Sequence, residues 1–158
     1  MEKTLKILAL ICIMISITSY AFASYTAYEA IVNKKASNDG YTKALQVLLR
    51  QSGIPCYYSF GRLHQDEKTV EHSWNVVRLG ESHYNVDPYL NDTMLGSFNA
   101  ISYEFYNVSD SKIKQSHVRN SVSSGLPAVD GKELTYEKLY GEPCAIGALK
   151  SLKLDKSY

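Results

Sequence analysis

The sequence lacks any tract rich in proline, glycine or serine, and it lacks any long run of one charge. Without such a tract nothing divides the chain internally, and residues 24–158 suffice for one domain with a single core. The 17 basic residues are matched by 16 acidic residues, a balance that does not favour binding to a phosphate backbone. We therefore expect a single domain with no nucleic-acid partner.

The longest apolar run lies at the start of the chain, and it too is short. Lys3 and Lys6 precede an apolar run that continues unbroken over residues 7–15. This run is well short of the roughly 20 residues that a membrane-spanning helix needs. Ala21-Phe22-Ala23 then matches a signal-peptide cleavage site. The pattern predicts a signal peptide over residues 1–23, cleaved after Ala23, and a secreted or extracytoplasmic protein that meets a membrane only transiently through this peptide. An uncleaved anchor is the alternative.

Cysteine is scarce in the mature part of the chain. Cys12 would leave with the signal peptide, so that two of the three cysteines remain, Cys56 and Cys144. In an oxidising compartment these two could form a disulfide. The sequence gives no distance between them, and two buried thiols are the other possibility.

One long helix is predicted in the mature chain. Apolar residues recur at helical spacing over residues 41–49. Asn38 or Asp39 can cap the first turn, and Gly53 suits a left-handed C-terminal cap. A shorter helical segment over residues 25–32 precedes it. We expect the longer helix to pack one apolar stripe into the core.

The segments after this helix predict an antiparallel sheet. Residues 54–60 form an extended aromatic run, and we interpret the polar residues 61–69 as a solvent-facing loop. Two further strands flank Gly80-Glu81, which fits a two-residue type II′ turn. The fold class is therefore α+β, with a core helix packed on about three to five antiparallel strands. Downstream we predict a strand over residues 103–108, a short helix over 110–119 and a helical turn over 136–140.

The two-residue turn fixes the register of its hairpin. If Leu79 faces Ser82, then Trp74 faces Asp87 and His72 lies two residues further along the same face. Diagonal neighbours of this kind have Cβ atoms roughly 7 Å apart, which permits a hydrogen bond between an imidazole and a carboxylate. A three-residue loop would place His72 and Asp87 on opposite faces.

Three ordered motifs resemble those of one protein family. Residues 38–41 read Asn-Asp-Gly-Tyr, residues 72–77 read His-Ser-Trp-Asn-Val-Val and residues 84–88 read Tyr-Asn-Val-Asp-Pro. In this order and spacing they resemble the Cys-x-Gly-Tyr, His-Ala-Trp-Asn and Tyr-x-Val-Asp motifs of the transglutaminase-like superfamily, a branch of the papain-like fold. The resemblance covers about residues 27–117 and leaves the C-terminal stretch unexplained.

The resemblance implies a site and the roles of its residues. His72 would be the general base and acid, Asp87 would orient it, and Trp74 and Tyr41 would line the substrate groove. The nucleophilic cysteine of the family corresponds to Asn38, whose amide cannot attack an acyl carbon. We therefore expect an inactive pseudoenzyme that binds a peptide or protein segment.

Two other functions remain open. An active cysteine-protease-like or transglutaminase-like amide hydrolase or acyl transferase would need an unusual nucleophile, for which Ser37 and Cys56 are the candidates. Alternatively, the chain is a structural module of the cell envelope, in which Asn38 simply caps the helix through its side-chain oxygen.

No cofactor is implied by the sequence. His64, His83 and His117 have no cysteine, histidine or carboxylate at the spacing of metal ligands. Isolated histidines of this kind are most often solvated or structural. We therefore expect no metal.

Overall fold

The computed structural model describes residues 25–65, 67–94 and 101–141. The predicted signal peptide, its cleavage site after Ala23 and Cys144 lie outside these residues. The helices and strands are, in chain order, α1 (Ala27–Val32), α2 (Asn38–Gln51), β1 (Cys56–Gln65), β2 (Lys68–Leu79), β3 (Ser82–Val86), α3 (Pro88–Thr93), α4 (Asp110–Ile113), β4 (His117–Arg119) and α5 (Tyr136–Tyr140).

The strands form one sheet in the order β3-β2-β1-β4. Each neighbouring pair is antiparallel, and helix α2 contacts both β1 and β2. This arrangement confirms the predicted α+β class with a core helix on an antiparallel sheet. None of the helices within the described ranges is long and apolar enough to cross a bilayer.

The predicted hairpin register is the one that the structure has. Leu79 pairs with Ser82, and Asn75 pairs with Val86, so that Trp74 and Asp87 occupy opposing positions on one face. Gly80 has φ +62°, as the first central residue of a type II′ turn requires. This backbone angle is accessible to glycine without steric cost, which explains why the turn closes in two residues.

The start of α2 differs from the prediction. Ser37 occupies the N-cap position, with extended backbone angles, and the helix begins at Asn38. Neither Asn38 nor Asp39 is therefore the cap. The side chain of Asp39 instead accepts a hydrogen bond from the hydroxyl of Tyr58, and the side chain of Asn38 turns towards β2. At the other end Gly53 has φ +76°, as predicted for the residue that follows the helix.

Three predicted assignments, of a loop, a strand and a helix, differ from the structure. Residues 61–69 are not a loop, because β1 continues to Gln65 and β2 begins at Lys68. Residues 103–108 are not a strand, because they form turns and bends with a single bridge from Val108 to Asn85. The predicted helix over 110–119 ends at Ile113, and its last three residues form β4. The predicted turn at 136–140 is helical, as α5.

The sheet separates two apolar clusters. On the α2 side, Cys56, Val77 and Val86 pack with Leu45 and Leu49 from the helix. The other cluster joins β1 to the segments that follow β3, and its buried members are Leu63, Leu90, Phe105, Val108 and Ile113. Burial of each such side chain contributes about 1.5–3 kcal/mol. The second cluster surrounds the face that carries Trp74 and Asp87.

Candidate active site

The side chain of Asn38 lies against the imidazole of His72. Its Nδ2 is 3.1 Å from His72 Nδ1 and 3.5 Å from the carbonyl oxygen of Glu71. The hydroxyl of Ser73 lies 3.4 Å from Asn38 Oδ1 and donates to it. The amide therefore presents its NH₂ group to the imidazole and its oxygen to Ser73. The first residue of α2 thus faces the histidine, as the resemblance implied.

The other nitrogen of His72 binds Asp87. His72 Nε2 is 2.6 Å from Asp87 Oδ2, and both side chains are buried. Asp87 is also the N-cap of α3, where its Oδ1 accepts a hydrogen bond from the backbone N–H of Leu90 at 3.0 Å. An imidazole that donates from Nε2 to a carboxylate has its lone pair on Nδ1. That lone pair accepts the hydrogen bond from Asn38.

A second histidine, His117, contacts the same carboxylate oxygen. Its Nε2 is 3.0 Å from Asp87 Oδ2, and its Nδ1 is 2.8 Å from the hydroxyl of Ser116. His117 is fully buried. In the sequence this histidine has no partner at the spacing of metal ligands, whereas the fold places it against Asp87. Its partner is far away in sequence, and the pairing of β4 with β1 brings the two together.

Hydrogen bonds keep Asp87 ionised despite its burial. Burial alone would raise the pKa of this carboxyl group, but hydrogen bonds from His117, His72 and the backbone of Leu90 outweigh it, and the pKa lies below its ordinary value. The ionised carboxylate can accept from all three donors at once. The site therefore contains a buried negative charge that is shared between two imidazoles.

His72, Asp87 and His117 are also the described residues that could hold a metal ion. One ligand atom from each lies within 4.8 Å of the other two. However, the two Nε2 atoms lie 2.6 and 3.0 Å from Asp87 Oδ2, distances typical of direct hydrogen bonds. Zinc ligands about 2.0–2.2 Å from the ion would have to stand further apart. The expectation of no metal stays a prediction.

Trp74 does not line the same cleft as Tyr41. It is fully buried, its indole N–H donates to Asn85 Oδ1 at 3.2 Å, and its ring packs edge-on against His117 with centroids 5.0 Å apart. Together with His117 it borders a different cleft, of about 540 Å³, next to β4, so its role in a substrate groove stays a prediction. Trp74 also supports the second histidine from behind.

Tyr41 does line an open cleft beside the site. The cleft has a volume of about 500 Å³ and is bounded by α1, α2, α3 and the segment after residue 100, with aromatic walls from Tyr41, Tyr103 and Tyr106. The hydroxyl of Tyr41 donates to the carboxylate of Asp92. Burial, reinforced by Asp92, raises the pKa of Tyr41 to about 12. The hydroxyl thus remains protonated and fixed at the rim of the cleft.

Tyr89 connects this cleft to His72. Its ring centroid is 5.7 Å from that of Tyr41 and 6.0 Å from that of His72. The Tyr89 ring therefore lies between the Tyr41 wall of the cleft and the imidazole, which is itself buried.

Cys56 has neither the position nor the acidity of a replacement nucleophile. It pairs with Val77, whereas His72 pairs with Gly61, five residues further along β1 and on the opposite face. Burial raises the pKa of its thiol to about 11, which leaves almost no thiolate near neutral pH. The other candidate, Ser37, stands at the N-cap of α2, and its role as a nucleophile stays a prediction.

Comparison with known protein families assigns the chain to a class. The family model of the transglutaminase-like superfamily matches residues 2–88, more than half of the 158 residues. The chain belongs to this superfamily, and its fold is that of the papain-like and transglutaminase-like proteins. The match includes Asn38, His72 and Asp87 but ends before His117. No curated protein matches the chain significantly.

Proposed function

We propose that this protein is a transglutaminase-like pseudoenzyme that binds a peptide or protein segment outside the cytoplasm without turning it over. The observation that carries the proposal is the 3.1 Å contact between Asn38 Nδ2 and His72 Nδ1. At this position a catalytic thiol would give its proton to the imidazole. Here the amide N–H of Asn38 donates a hydrogen bond to the lone pair of His72 Nδ1 instead.

The chemistry of the amide explains why turnover would be lost. Thiol acyl transfer needs a thiolate to attack the acyl carbon and an imidazole to move the proton. The nitrogen of an amide carries no available lone pair and does not form a covalent acyl intermediate. His72 and Asp87 remain hydrogen-bonded, so the substitution removes the nucleophile and leaves its neighbours in place.

The cleft beside Tyr41 supports the binding part of the proposal. Its aromatic walls can pack against an apolar side chain, and their hydroxyl groups can form hydrogen bonds with a peptide backbone. Apolar side chains such as Ile101 and Leu45, and the charged groups of Lys34 and Asp92, also line the cleft. An amphipathic cleft of this size fits an extended segment or a glutamine-like side chain.

The extracytoplasmic location rests on the N-terminal sequence alone. The apolar residues 7–15 and the Ala21-Phe22-Ala23 site are the features of an export signal. In an oxidising compartment a reactive surface thiol would be exposed to oxidation. A binding domain that has lost its nucleophile avoids this chemistry.

The rival functions make different predictions about His72. An active hydrolase or acyl transferase with another nucleophile requires His72 for turnover, whereas a structural module of the cell envelope predicts no ligand at all. The side chain of Asn38 contacts β2 and His72 and does not cap α2. The capping role that the structural alternative assigned to it is therefore not the one that it has.

Binding and turnover of a glutamine-containing peptide test the proposal. We expect saturable binding by isothermal titration calorimetry and no released ammonia. Tyr41→Ala should weaken binding by about tenfold, because a buried aromatic anchor contributes more than about 1 kcal/mol. Val122→Ala, which removes an exposed side chain outside the cleft, is the matched control.

The possible outcomes separate the three functions. Binding that depends on Tyr41, without turnover, supports the pseudoenzyme. Turnover that Ser37→Ala abolishes would establish the active alternative. If a panel of glutamine-containing peptides fails to bind, or if Tyr41→Ala binds as well as Val122→Ala, the proposed binding role is wrong.

A further inference from the structure

Three hydrogen-bond donors converge on the carboxylate of Asp87. The backbone N–H of Leu90 occupies Oδ1 at 3.0 Å. Oδ2 accepts from His72 Nε2 at 2.6 Å and from His117 Nε2 at 3.0 Å. A His-Asp pair requires only one imidazole, so the second one needs its own explanation.

The strand pairing delivers His117 across an intervening strand. β1 lies between β2, which carries His72, and β4, which carries His117. His72 pairs with Gly61 of β1, and His117 pairs with Leu63 two residues away on the same face. The two imidazoles meet over β1 with ring centroids 5.4 Å apart. Gly61 lets β4 approach this closely, because a Cβ there would lie 2.0 Å from the carbonyl oxygen of Val118.

The orientation of His117 is itself fixed. The hydroxyl of Ser116 can donate to its Nδ1 at 2.8 Å, which leaves the proton of the neutral ring on Nε2, where it faces Asp87. Trp74 and Phe105 pack edge-on against the ring, with centroids 5.0 and 5.1 Å away. Its geometry is that of a dedicated donor rather than of a loosely packed side chain.

We propose that His117 is a positioning residue, whose Nε2–H holds Asp87 as an ionised carboxylate turned towards His72 and so keeps the Nδ1 lone pair of His72 aimed at position 38. The role concerns the imidazole itself. This role of His117 does not depend on what the neighbouring cleft binds, and it can be tested without a ligand.

Loss of this donor has a definite consequence for the proton on His72. A buried carboxylate with one donor fewer is more easily protonated. The carboxylate would take up one proton from solvent and donate it to His72 Nε2 in a hydrogen bond, while the ring loses its own proton from Nε2 and gains one on Nδ1, so that the imidazole stays neutral. The proton on Nδ1 would face the NH₂ group of Asn38, so that the contact at 3.1 Å would join two donors. The side chain of Asn38 would have to turn its oxygen to the ring.

Nitrogen chemical shifts of the imidazole rings report this change directly. We would record ¹⁵N spectra of the histidine side chains at neutral pH in the unmodified protein, in His117→Gln and in His117→Phe. The amide of glutamine can still donate to Asp87, whereas phenylalanine keeps a ring against Trp74 and Phe105 but has no donor. His64→Phe, which changes an exposed histidine, is the control.

The expected result distinguishes a positioning role from simple packing. His72 should show the Nε2–H form in the unmodified protein, in His117→Gln and in His64→Phe, and a measurable fraction of the His117→Phe molecules should show the Nδ1–H form instead. If His117→Phe does not fold, Ser116→Ala provides the second measurement. It removes the hydrogen bond to Nδ1 of His117, and it should therefore change the tautomer populations of both His117 and His72 in part. An unchanged His72 spectrum in His117→Phe, or in Ser116→Ala where that is the variant measured, would overturn the proposal.

Zinc provides a further arm of the same experiment. Equimolar Zn²⁺ should leave the ring signals of His72 and His117 unchanged. If both sets shift together on addition of zinc, the cluster is a metal site and the positioning role is wrong. Failure of peptide binding alters neither spectrum, so the two proposals can fail separately.

Discussion

Replacement of Asp87 by asparagine removes the charge on which the buried site is built. The carboxylate accepts three hydrogen bonds and is fully buried. Asparagine keeps one acceptor oxygen, which can retain the bond from Leu90. Its NH₂ group would then face the Nε2–H groups of both His72 and His117. Each ring could accept a hydrogen bond from this NH₂ group only if its own proton moved from Nε2 to Nδ1. That move would disturb the hydrogen bond that Nδ1 already makes.

The magnitude follows from these contacts. A hydrogen bond to a charged group contributes about 1.5–3 kcal/mol, and the loss of one partner of a buried charged pair costs about 3–5 kcal/mol. Since the new amide can recover part of this through tautomer changes, we expect Asp87→Asn to lower the free energy of unfolding by about 3 kcal/mol. Urea unfolding followed through the fluorescence of Trp74, the only tryptophan, measures it. Asp92→Asn, at an exposed carboxylate, should change the same quantity by about 0.5 kcal/mol.

The effect of pH has a definite sign. The pKa of Asp87 in the folded protein lies below its ordinary value of 3.8. The stability that its ionised form contributes is therefore complete above the ordinary value and is lost as the pH falls through the folded value. The difference in the free energy of unfolding between the unmodified protein and Asp87→Asn should be constant near neutral pH and should shrink below pH 3.8. A loss under about 1 kcal/mol at neutral pH would refute the reasoning, since one charged hydrogen bond alone exceeds it.

Two further predictions concern the sheet and the N-terminus. Gly61→Ala should lower the free energy of unfolding by about 1–3 kcal/mol, because the new Cβ would lie 2.0 Å from the carbonyl oxygen of Val118. Gly125→Ala, whose new Cβ meets no atom within 4 Å, is the control in the same urea experiment. Equal losses of stability in the two variants would contradict the close approach of β4 to Gly61. N-terminal sequencing of the exported protein should begin at Ser24, whereas Met1 recovered from a membrane fraction would show that the signal is not cleaved.

The hairpin was predictable because its information is local. Gly80-Glu81 fixes the loop length, the loop length fixes the pairing of Leu79 with Ser82, and simple counting then places His72 and Asp87 on one face. The same local logic failed over residues 61–69. There the polar residues Arg62 and His64 occupy the exposed face of β1, while Gly61 and Leu63 are buried, and a mean polarity does not reveal this alternation.

The rest of the site depends on contacts between distant parts of the chain. The prediction that Asn38 caps the helix was wrong, because its residue type suits a cap, whereas its actual contacts are with Glu71, His72 and Ser73. His117 could not be paired with Asp87 without the β1–β4 register. The available signal was its place at the end of the segment that resembles the family.

The central claim is that Asn38 stands at the nucleophile position of an otherwise assembled site. The direct measurement is the rate at which an alkylating reagent labels Asn38→Cys across the pH range, in a chain that also carries Cys144→Ser, with Asn38→Cys, His72→Ala as the control. A cysteine at the start of α2 and beside an imidazole should have a thiol pKa below the usual value of about 8.5. We expect rapid labelling near neutral pH that His72→Ala slows by at least tenfold. Labelling no faster than that of a free thiol, with or without His72, would contradict it.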